Sequence, residues 1–345
     1  MFGLRFFGFL IGFIFFVFVL RQRRKKREVR GSQLLPLLLS LGLMCVSAFP
    51  GMMTFPAALL SLNNVEFGRI VTIQLICILF LFLLFFWERA KSYKTKQTLK
   101  NIAISLGENS FHSSKEISPH SIWIVIPVLN EAKNLKELLP KIPPQICGVN
   151  VVTTIIDDGS TDNTLDVARM NGCSSASLPT NLGGGVALLT GFSLAQKNDG
   201  IAVITMDGDN QHDPSDLENL VMPIIEGDAD LVIGSRHLGD FEKVSSVRSV
   251  GLYVFNGIIN FLQGTKITDC ASGYRAIRIQ KLREWQLLQS QYHTAEMIIE
   301  AAKNGARICE RPISVQKRSF GQSKKGKDVR YGFFFMRTVV KTWLR

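Results

Sequence analysis

A chain of 345 residues, 46% of them hydrophobic and with a formal charge of +12, is long enough for one sizeable domain plus an appended part. Much of that charge lies in residues 21–27, 89–96 and 307–345, with no aromatic-interleaved nucleic-acid motif beside it, so it points to anionic lipid and away from nucleic acid. The cysteines Cys45, Cys77, Cys147, Cys173, Cys270 and Cys309 have no paired CxxC spacing, which argues against a zinc site or a disulfide framework and fits a reducing compartment.

Three apolar runs open the chain, at residues 6–20, 34–62 and 70–87. Each is near the roughly 20 residues that a bilayer-crossing helix needs, and together they predict about three transmembrane helices. The first run, at 15 residues, is short enough to be re-entrant or interfacial, and Pro36, Pro50 and Pro56 predict a kink in the second. The cluster Arg21-Gln22-Arg23-Arg24-Lys25-Lys26-Arg27 follows the first run, whereas a cleaved signal peptide would carry its charge in front, so a retained anchor is expected. The positive-inside rule puts the basic loop at 21–30 and the segment 89–96 in the cytoplasm, with the amino terminus outside and everything after residue 88 cytoplasmic. Residues 1–96 therefore read as a membrane anchor, and 97–119, with Asn, Ser, Gly, Lys and His interspersed, as a linker.

From Ser121 onward, strand-like and helix-like segments alternate. Strands are predicted at 122–127, 151–156, 201–206 and 231–234, and helices at 131–139, 163–170, 184–196, 250–262 and 294–304. Such alternation predicts an α/β domain, residues 120–330, around a mostly parallel sheet. The tail at 331–345 mixes aromatics with cations over a length too short to span and reads as an interfacial helix, with packing against the sheet as the alternative.

The carboxyl ends of the predicted strands carry the chemistry, because open α/β sheets bind ligands there. After the strand at 201–206 comes Asp207-Gly208-Asp209-Asn210-Gln211-His212. Two unit charges about 4 Å apart repel by roughly 4 kcal/mol at an effective dielectric near 20, so a site that keeps both carboxylates usually holds a cation. Hard oxygen ligands suit Mg²⁺ or Mn²⁺ bridging to phosphates. Asp213, Pro214 and Asp216 are accounted for as a helix start, which leaves Asp207, Asp209 and Gln211 unexplained by capping. Asp157-Asp158-Gly159-Ser160-Thr161-Asp162 is a strand-to-helix turn whose acidic pair could accept from a base N–H and a ribose hydroxyl. Asn181-Leu182-Gly183-Gly184-Gly185 would let backbone N–H groups approach a ligand, but it matches neither a dinucleotide fingerprint nor a P-loop. Arg236, after the strand at 231–234, and Arg248 offer fixed cations for a phosphate, or are surface arginines.

In this order the motifs resemble the family 2 inverting glycosyltransferases, in the branch of dolichol-phosphate mannose synthases and polyprenyl-phosphate glycosyltransferases. The resemblance covers Ser121 to Asp328 and rests most on Met206 to Pro214, on Asp269-Cys270-Ala271-Ser272-Gly273-Tyr274-Arg275 and on Arg318-Ser319-Phe320-Gly321-Gln322-Ser323-Lys324. It implies a GT-A fold, a nucleotide-sugar-binding α/β domain with a central mixed sheet. It implies that Pro127, Asn130, Glu131 and Asp158 line the nucleotide pocket, that Asp207, Asp209 and Gln211 hold Mg²⁺ or Mn²⁺, and that Arg236 and Arg248 contact phosphate. Ser272, Gly273 and Arg275 would belong to the acceptor side, and Arg318, Ser323 and Lys324 to a basic segment closing over the site. The implied activity is metal-dependent transfer of a hexose, from GDP-mannose or UDP-glucose, to a polyprenyl or dolichyl phosphate with inversion.

A lipid phosphate arrives ionised, so no general base is required; Asp269 or Glu296 could serve as one for a hydroxyl acceptor, although Glu296 is equally a polar residue of its helix. Two alternatives stay open. A processive polysaccharide synthase would carry QxxRW, which Gln280-Lys281-Leu282-Arg283-Glu284-Trp285 misses by one residue, and a non-catalytic nucleotide-sugar-binding membrane scaffold would be expected to have lost Asp207 and Asp209.

Overall fold

The uncharged run Ile122-Trp123-Ile124-Val125-Ile126 alternates its side chains between two faces that are both covered, which is why apolar residues fill every position. It forms the centre of β1 (Ile122–Val128) in a computed structural model that describes residues 2–25, 34–59, 68–239, 246–289, 291–316, 320 and 328–345. Trp123 and Val125 join one hydrophobic cluster, whereas Ile122, Ile124, Ile126 and Val128 join the other. The remaining strands are β2 (Gln145–Ile146), β3 (Val149–Asp157), β4 (Ser174–Ser177), β5 (Ala202–Thr205), β6 (Leu231–Ser235), β7 (Arg275–Arg278) and β8 (Ile308–Pro312).

Among the described residues they make one eight-stranded sheet, with β2-β3-β1-β5-β7-β6-β8 in sequence across it and β4 on β3. β1 pairs in parallel with β3 and with β5, and β6 with β8. β7 runs antiparallel to both β5 and β6, so its first residues lie at the edge where its neighbours end. The chain passes from β1 outward to β3 and β4, then returns to β5 on the other side of β1. The crevice at such a switch is where ligands enter an open α/β sheet.

Two compact units divide the chain, Met1–Lys94 and Thr95–Arg345. The first contains α1 (Phe2–Lys25), α2 (Leu34–Ala48), α3 (Thr54–Leu59) and most of the apolar half of α4 (Gly68–Asn109). The second contains the end of α4 and then α5 (Ala132–Leu138), α6 (Thr164–Met170), α7 (Gly184–Lys197), α8 (Leu217–Ile225), α9 (Ser246–Gln263), α10 (Ile279–Leu282), α11 (His293–Lys303) and α12 (Asp328–Trp343).

Several expectations change. Among the described residues no helix is long and apolar enough to cross a membrane, where about three were expected. The second apolar run is broken rather than kinked: α2 has only 15 residues, and a 3-10 turn at Pro50–Met53, begun by a proline without an N–H, separates it from α3. Of the basic stretch at 21–30, residues 26–30 lie outside the described residues. The predicted linker is helical as far as Asn109. It is ordered by packing: Ala103 is buried, Gly107 lies where a Cβ would come within 2.9 Å of Leu178, and the Glu108 carboxylate holds the Ser193 hydroxyl and Lys197 Nζ.

The tail is helical and packs inward by one face. α12 packs Phe335, fully buried, and Val339 into the cluster shared with α9 and α11, with the Phe335 ring 4.7 Å from that of Phe255. Arg345 pairs with Glu296 and Glu300 of α11 at 3.2 and 2.6 Å. Glu296, fully buried, also accepts the N–H groups of Leu288 and Gln289 at 2.9 Å, so it fastens a loop and is no base. The same loop offers the Leu287 carbonyl to Lys100 Nζ of α4 at 3.2 Å.

Desolvation by burial holds the Lys100 amine down at about 8, with Glu296 pulling it up and Arg345 pushing it further down. Between that value and the roughly 10.4 of a free lysine, the unfolded chain binds more protons than the folded one, so stability rises with pH in this window. Urea unfolding should therefore show the wild type gaining stability relative to Lys100→Met as pH is raised from about 7 to about 10; a pH-independent difference would refute the assignment.

Candidate functional site

Four loops meet at the carboxyl edge of the sheet. At the ends of β1 and β3 the polar residues bind one another. Asn130 takes a left-handed backbone (φ 55°), its side-chain oxygen accepts the Thr161 N–H at 2.7 Å, and its own N–H donates to Ser160 Oγ at 2.8 Å. The Glu131 N–H donates to Thr164 Oγ1 at 3.0 Å, and its carboxylate accepts from Asn134 at 2.5 Å. Pro127 sits in β1, half-buried and in register with Ile156.

The acidic pair of β3 faces the protein. Both residues are buried. Asp157 accepts the Ser160 N–H at 2.9 Å and the Ser177 hydroxyl at 3.4 Å. Asp158 accepts the N–H groups of Leu182 and Gly183 at 2.7 and 2.8 Å, one on each oxygen. Asp158 thus clamps the glycine-rich stretch that leads into α7. Gly159 (φ 84°) makes the clamp possible, since a Cβ there would lie 3.0 Å from backbone atoms of Thr180 and Asn181.

The carboxylate pair stands on the turn after β5. Gly208 has no room for a side chain, because a Cβ would come within 2.7 Å of Val128 Cγ1. The Asp207 N–H donates to His212 Nδ1 at 3.3 Å, and the His212 ring stacks on Tyr274 with centroids 4.6 Å apart. Tyr274 Oη in turn donates to the Asp213 carbonyl at 3.1 Å. Asn210, also left-handed (φ 59°), donates to Glu137 at 3.0 Å. The segment after β8 closes the turn from outside, Gln316 N–H meeting the Gln211 carbonyl at 2.8 Å and Ser314 N–H meeting Asp216 at 2.8 Å. Asp213 caps Ser215 at 2.9 Å, and that backbone N–H is the main cause holding its carboxyl below the usual range.

Asp207 and Asp209 remain half-buried. Gly273, at the start of antiparallel β7, leaves open the space beside Asp207 where a Cβ would lie 3.3 Å from both carboxylate oxygens. Among the described residues no group of three or more His, Cys, Asp or Glu forms a metal cluster. Two half-buried carboxylates at the sheet edge fit a hard cation whose remaining ligands are phosphate oxygens and water. The Gln211 amide nitrogen donates to the Gln316 carbonyl at 3.1 Å, so its side-chain oxygen is the atom that could serve as a third ligand.

Arg236 and Asp269, expected in separate roles, are partners. Arg236 Nε and Nη2 each reach an Asp269 oxygen at 2.7 Å, and the Arg236 backbone N–H donates at 3.2 Å. Burial raises the Asp269 carboxyl, but the Arg236 hydrogen bonds and charge outweigh it and leave the group below its usual range. Fully buried and ion-paired, Asp269 cannot serve as a general base. Arg275, expected on the acceptor side, is fully buried and donates to the carbonyls of Cys270, Ser272 and Thr294, with burial lowering its guanidinium to about 10. Ser272 Oγ accepts the Tyr274 N–H at 3.3 Å.

The side chain of Arg248 and the whole of Arg318, Ser323 and Lys324 lie outside the described residues. Phe320, from the same basic motif, stands by α5, its carbonyl accepting from Asn134 at 3.3 Å and its ring 6.0 Å from Lys133 Nζ. Glu310, Asn256 and Gln316 hold the loops of this edge without any motif to mark them; only the antiparallel entry of β7 would have brought them to notice.

A model of glycosyl transferase family 2 matches residues 123–285. The undecaprenyl-phosphate mannosyltransferase of Micrococcus luteus is 30% identical over 214 residues, 59% of this chain and 86% of its own. The UDP-N-acetylglucosamine–dolichyl-phosphate N-acetylglucosaminyltransferase of Methanococcus voltae is 29% identical over 234 residues, 61% of this chain and 92% of its own. Among solved structures, glucosyl-3-phosphoglycerate synthase of Mycobacterium tuberculosis, crystallised with Mn²⁺ and UDP-glucose, superposes with a TM-score of 0.53 at 20% identity, covering 65% of this chain and 79% of that one. This likeness establishes the fold, a GT-A-like α/β domain with a mixed sheet.

The Asp158 clamp is testable by itself. Asp158→Asn turns an NH₂ toward one of the two N–H groups that the carboxylate now accepts and should cost about 1–3 kcal/mol in unfolding free energy, read from urea titration, with faster proteolytic cleavage at 181–185. Unchanged stability would show that the clamp is dispensable.

Proposed function

The chain belongs to glycosyl transferase family 2, in its polyprenyl-phosphate branch, and from that premise we propose that it moves a hexose from a nucleotide sugar to a polyprenyl or dolichyl phosphate with inversion at the anomeric carbon. The observation that carries the reading is the presence, on one sheet edge, of the half-buried carboxylates Asp207 and Asp209 and of a guanidinium, Arg236, oriented by Asp269.

Asp207 and Asp209 would hold Mg²⁺ or Mn²⁺, which would supply positive charge to stabilise the departing diphosphate. The residues do the rest. Arg236 presents a fixed cation to phosphate. Asn130 and Glu131, knitted to the turn after β3, and the glycine stretch held by Asp158 shape the nucleotide side. The lipid phosphate, whose second pKa is about 6, arrives with a nucleophilic oxygen already ionised at pH 7. That oxygen forms its bond to the anomeric carbon on the face opposite the departing nucleoside diphosphate, which takes the electron pair of the broken bond. No proton has to be removed, consistent with an Asp269 whose oxygens hold Arg236.

We further place the enzyme at a membrane, with its sheet domain in the cytoplasm. Exposed Phe6, Phe13, Phe82 and Phe86 in the first unit support attachment to lipid. So does α12, which leaves Phe333 and Leu344 about two-thirds exposed (68% and 70%) opposite the face that packs inward.

Membranes containing the protein, given polyprenyl phosphate and labelled GDP-mannose, UDP-glucose or UDP-N-acetylglucosamine, should yield chloroform-soluble, acid-labile label from one donor. EDTA or Asp209→Ala should reduce it at least about 100-fold, the factor expected when several kcal/mol of charge stabilisation is lost. Lipid labelling that survives both treatments would overturn the reading. The protein should also stay in the pellet after alkaline carbonate extraction, and its release would refute the lipid-embedded anchor.

A further inference from the structure

The loop between α9 and β7 is held from two sides just where it supplies Asp269. From β8, the Glu310 carboxylate accepts the Thr268 N–H with both oxygens at 2.9 Å, the Asp269 N–H at 3.1 Å and the Thr268 hydroxyl at 2.8 Å. From α9, Asn256 donates to the Thr268 carbonyl and accepts the Cys270 N–H at 2.9 Å. The Thr268 hydroxyl also lies 2.7 Å from that of Ser235, the residue immediately before Arg236. Glu310 pairs in the sheet with Ile233, so one strand fixes both the loop and β6, the strand that Arg236 follows.

A long arginine side chain has many rotamers, and a carboxylate that meets Nε and Nη2 together selects one plane for the guanidinium. The plane is then only as well defined as the backbone that carries the carboxylate. We propose that Glu310 is a positioning residue for phosphate recognition: by fixing the backbone at Thr268 and Asp269 it sets the orientation of the Arg236 guanidinium. The proposal rests on the reading that Arg236 meets a phosphate of donor or acceptor. A loose supporting shell shifts such a group by fractions of an ångström, enough to matter where functional geometry is held to about 0.5 Å.

Glu310→Gln turns an NH₂ toward the Thr268 and Asp269 N–H groups. With the full-length protein and the donor found by the nucleotide-sugar panel, kcat/KM should fall on the order of 10-fold, the lower end of what supporting residues around a site cost. The deciding measurement is a double-mutant cycle against Arg236→Lys, which keeps a charge but loses the bidentate fork. The expected result is that Glu310→Gln adds no further loss in the Arg236→Lys background, while the thermal midpoint falls by the same amount in both backgrounds. Equal losses in both backgrounds would overturn the positioning role and leave the phosphate reading intact. An Arg236→Lys enzyme with unchanged kcat/KM would overturn the phosphate reading itself and the proposal with it. Should Glu310→Gln not fold, Thr268→Val, which removes only the hydroxyl between Glu310 and Ser235, enters the same cycle with the same criteria.

Discussion

Space beside the Asp207 carboxylate is the constraint on which the site depends. Gly208 lies against Val128 of β1 where a Cβ would fall at 2.7 Å, and Gly273 lies against Asp207 itself where one would fall at 3.3 Å. The end of β5 is thereby pressed close to both neighbours and still keeps an open flank. β7 supplies that flank only because it runs antiparallel: a parallel strand in its place would end at this edge instead of beginning there. Strand order thus does chemical work. It puts the carboxylates at the β1–β5 switch and brings the start of β7 and the end of β6, with Asp269 and Arg236, to the same edge.

Around this opening the buried charges share one solution. A charge removed from water is tolerated when hydrogen bonds or an opposite charge replace the solvent, and breaking such an arrangement is far more costly than never having built it. Asp158 meets two backbone N–H groups, Glu296 meets two backbone N–H groups and Arg345, and Arg275 meets three carbonyls. Each ties a loop to a regular element. The motif residues of this edge therefore divide by accessibility: Asp207 and Asp209 stay half-buried, and the fully buried ones hold the loops that surround them.

The distinction could not be read from sequence, where Asp158 and Asp209 look alike. What was legible follows from pattern. β1, β5 and β6 carry short apolar runs because both faces are covered, β3 does so only at its buried end, Ile155-Ile156, and the candidate site residues stand in the turns that follow. β4, with the sequence Ser-Ser-Ala-Ser, and β7, bounded by Arg275 and Arg278, bury polar groups and show no such pattern. The helical part of 97–109 was hidden for a related reason. Its Asn, Ser and Gly residues favour loops in isolation, and contacts such as Gly107 against Leu178 and Glu108 with Ser193 and Lys197 offset the conformational entropy that the helix loses.

The carboxyl-terminal helix shows why amphipathic composition is ambiguous. A stripe of apolar residues flanked by cations satisfies a bilayer surface and a protein groove equally well, since both offer an apolar floor with polar surroundings. Phe335 and Val339 fill the protein groove beside Phe255, and Arg345 finds carboxylates in Glu296 and Glu300. That leaves Phe333, Val340, Trp343 and Leu344 on the outer side, more apolar surface than a water-facing helix end requires. A helix fastened by one face to the sugar-transfer domain, with a second apolar face still outward, can hold that domain at a lipid surface without inserting deeply. A lipid-borne phosphate needs such a placement, because its reactive group stands at the headgroup level while its chain stays in the hydrocarbon.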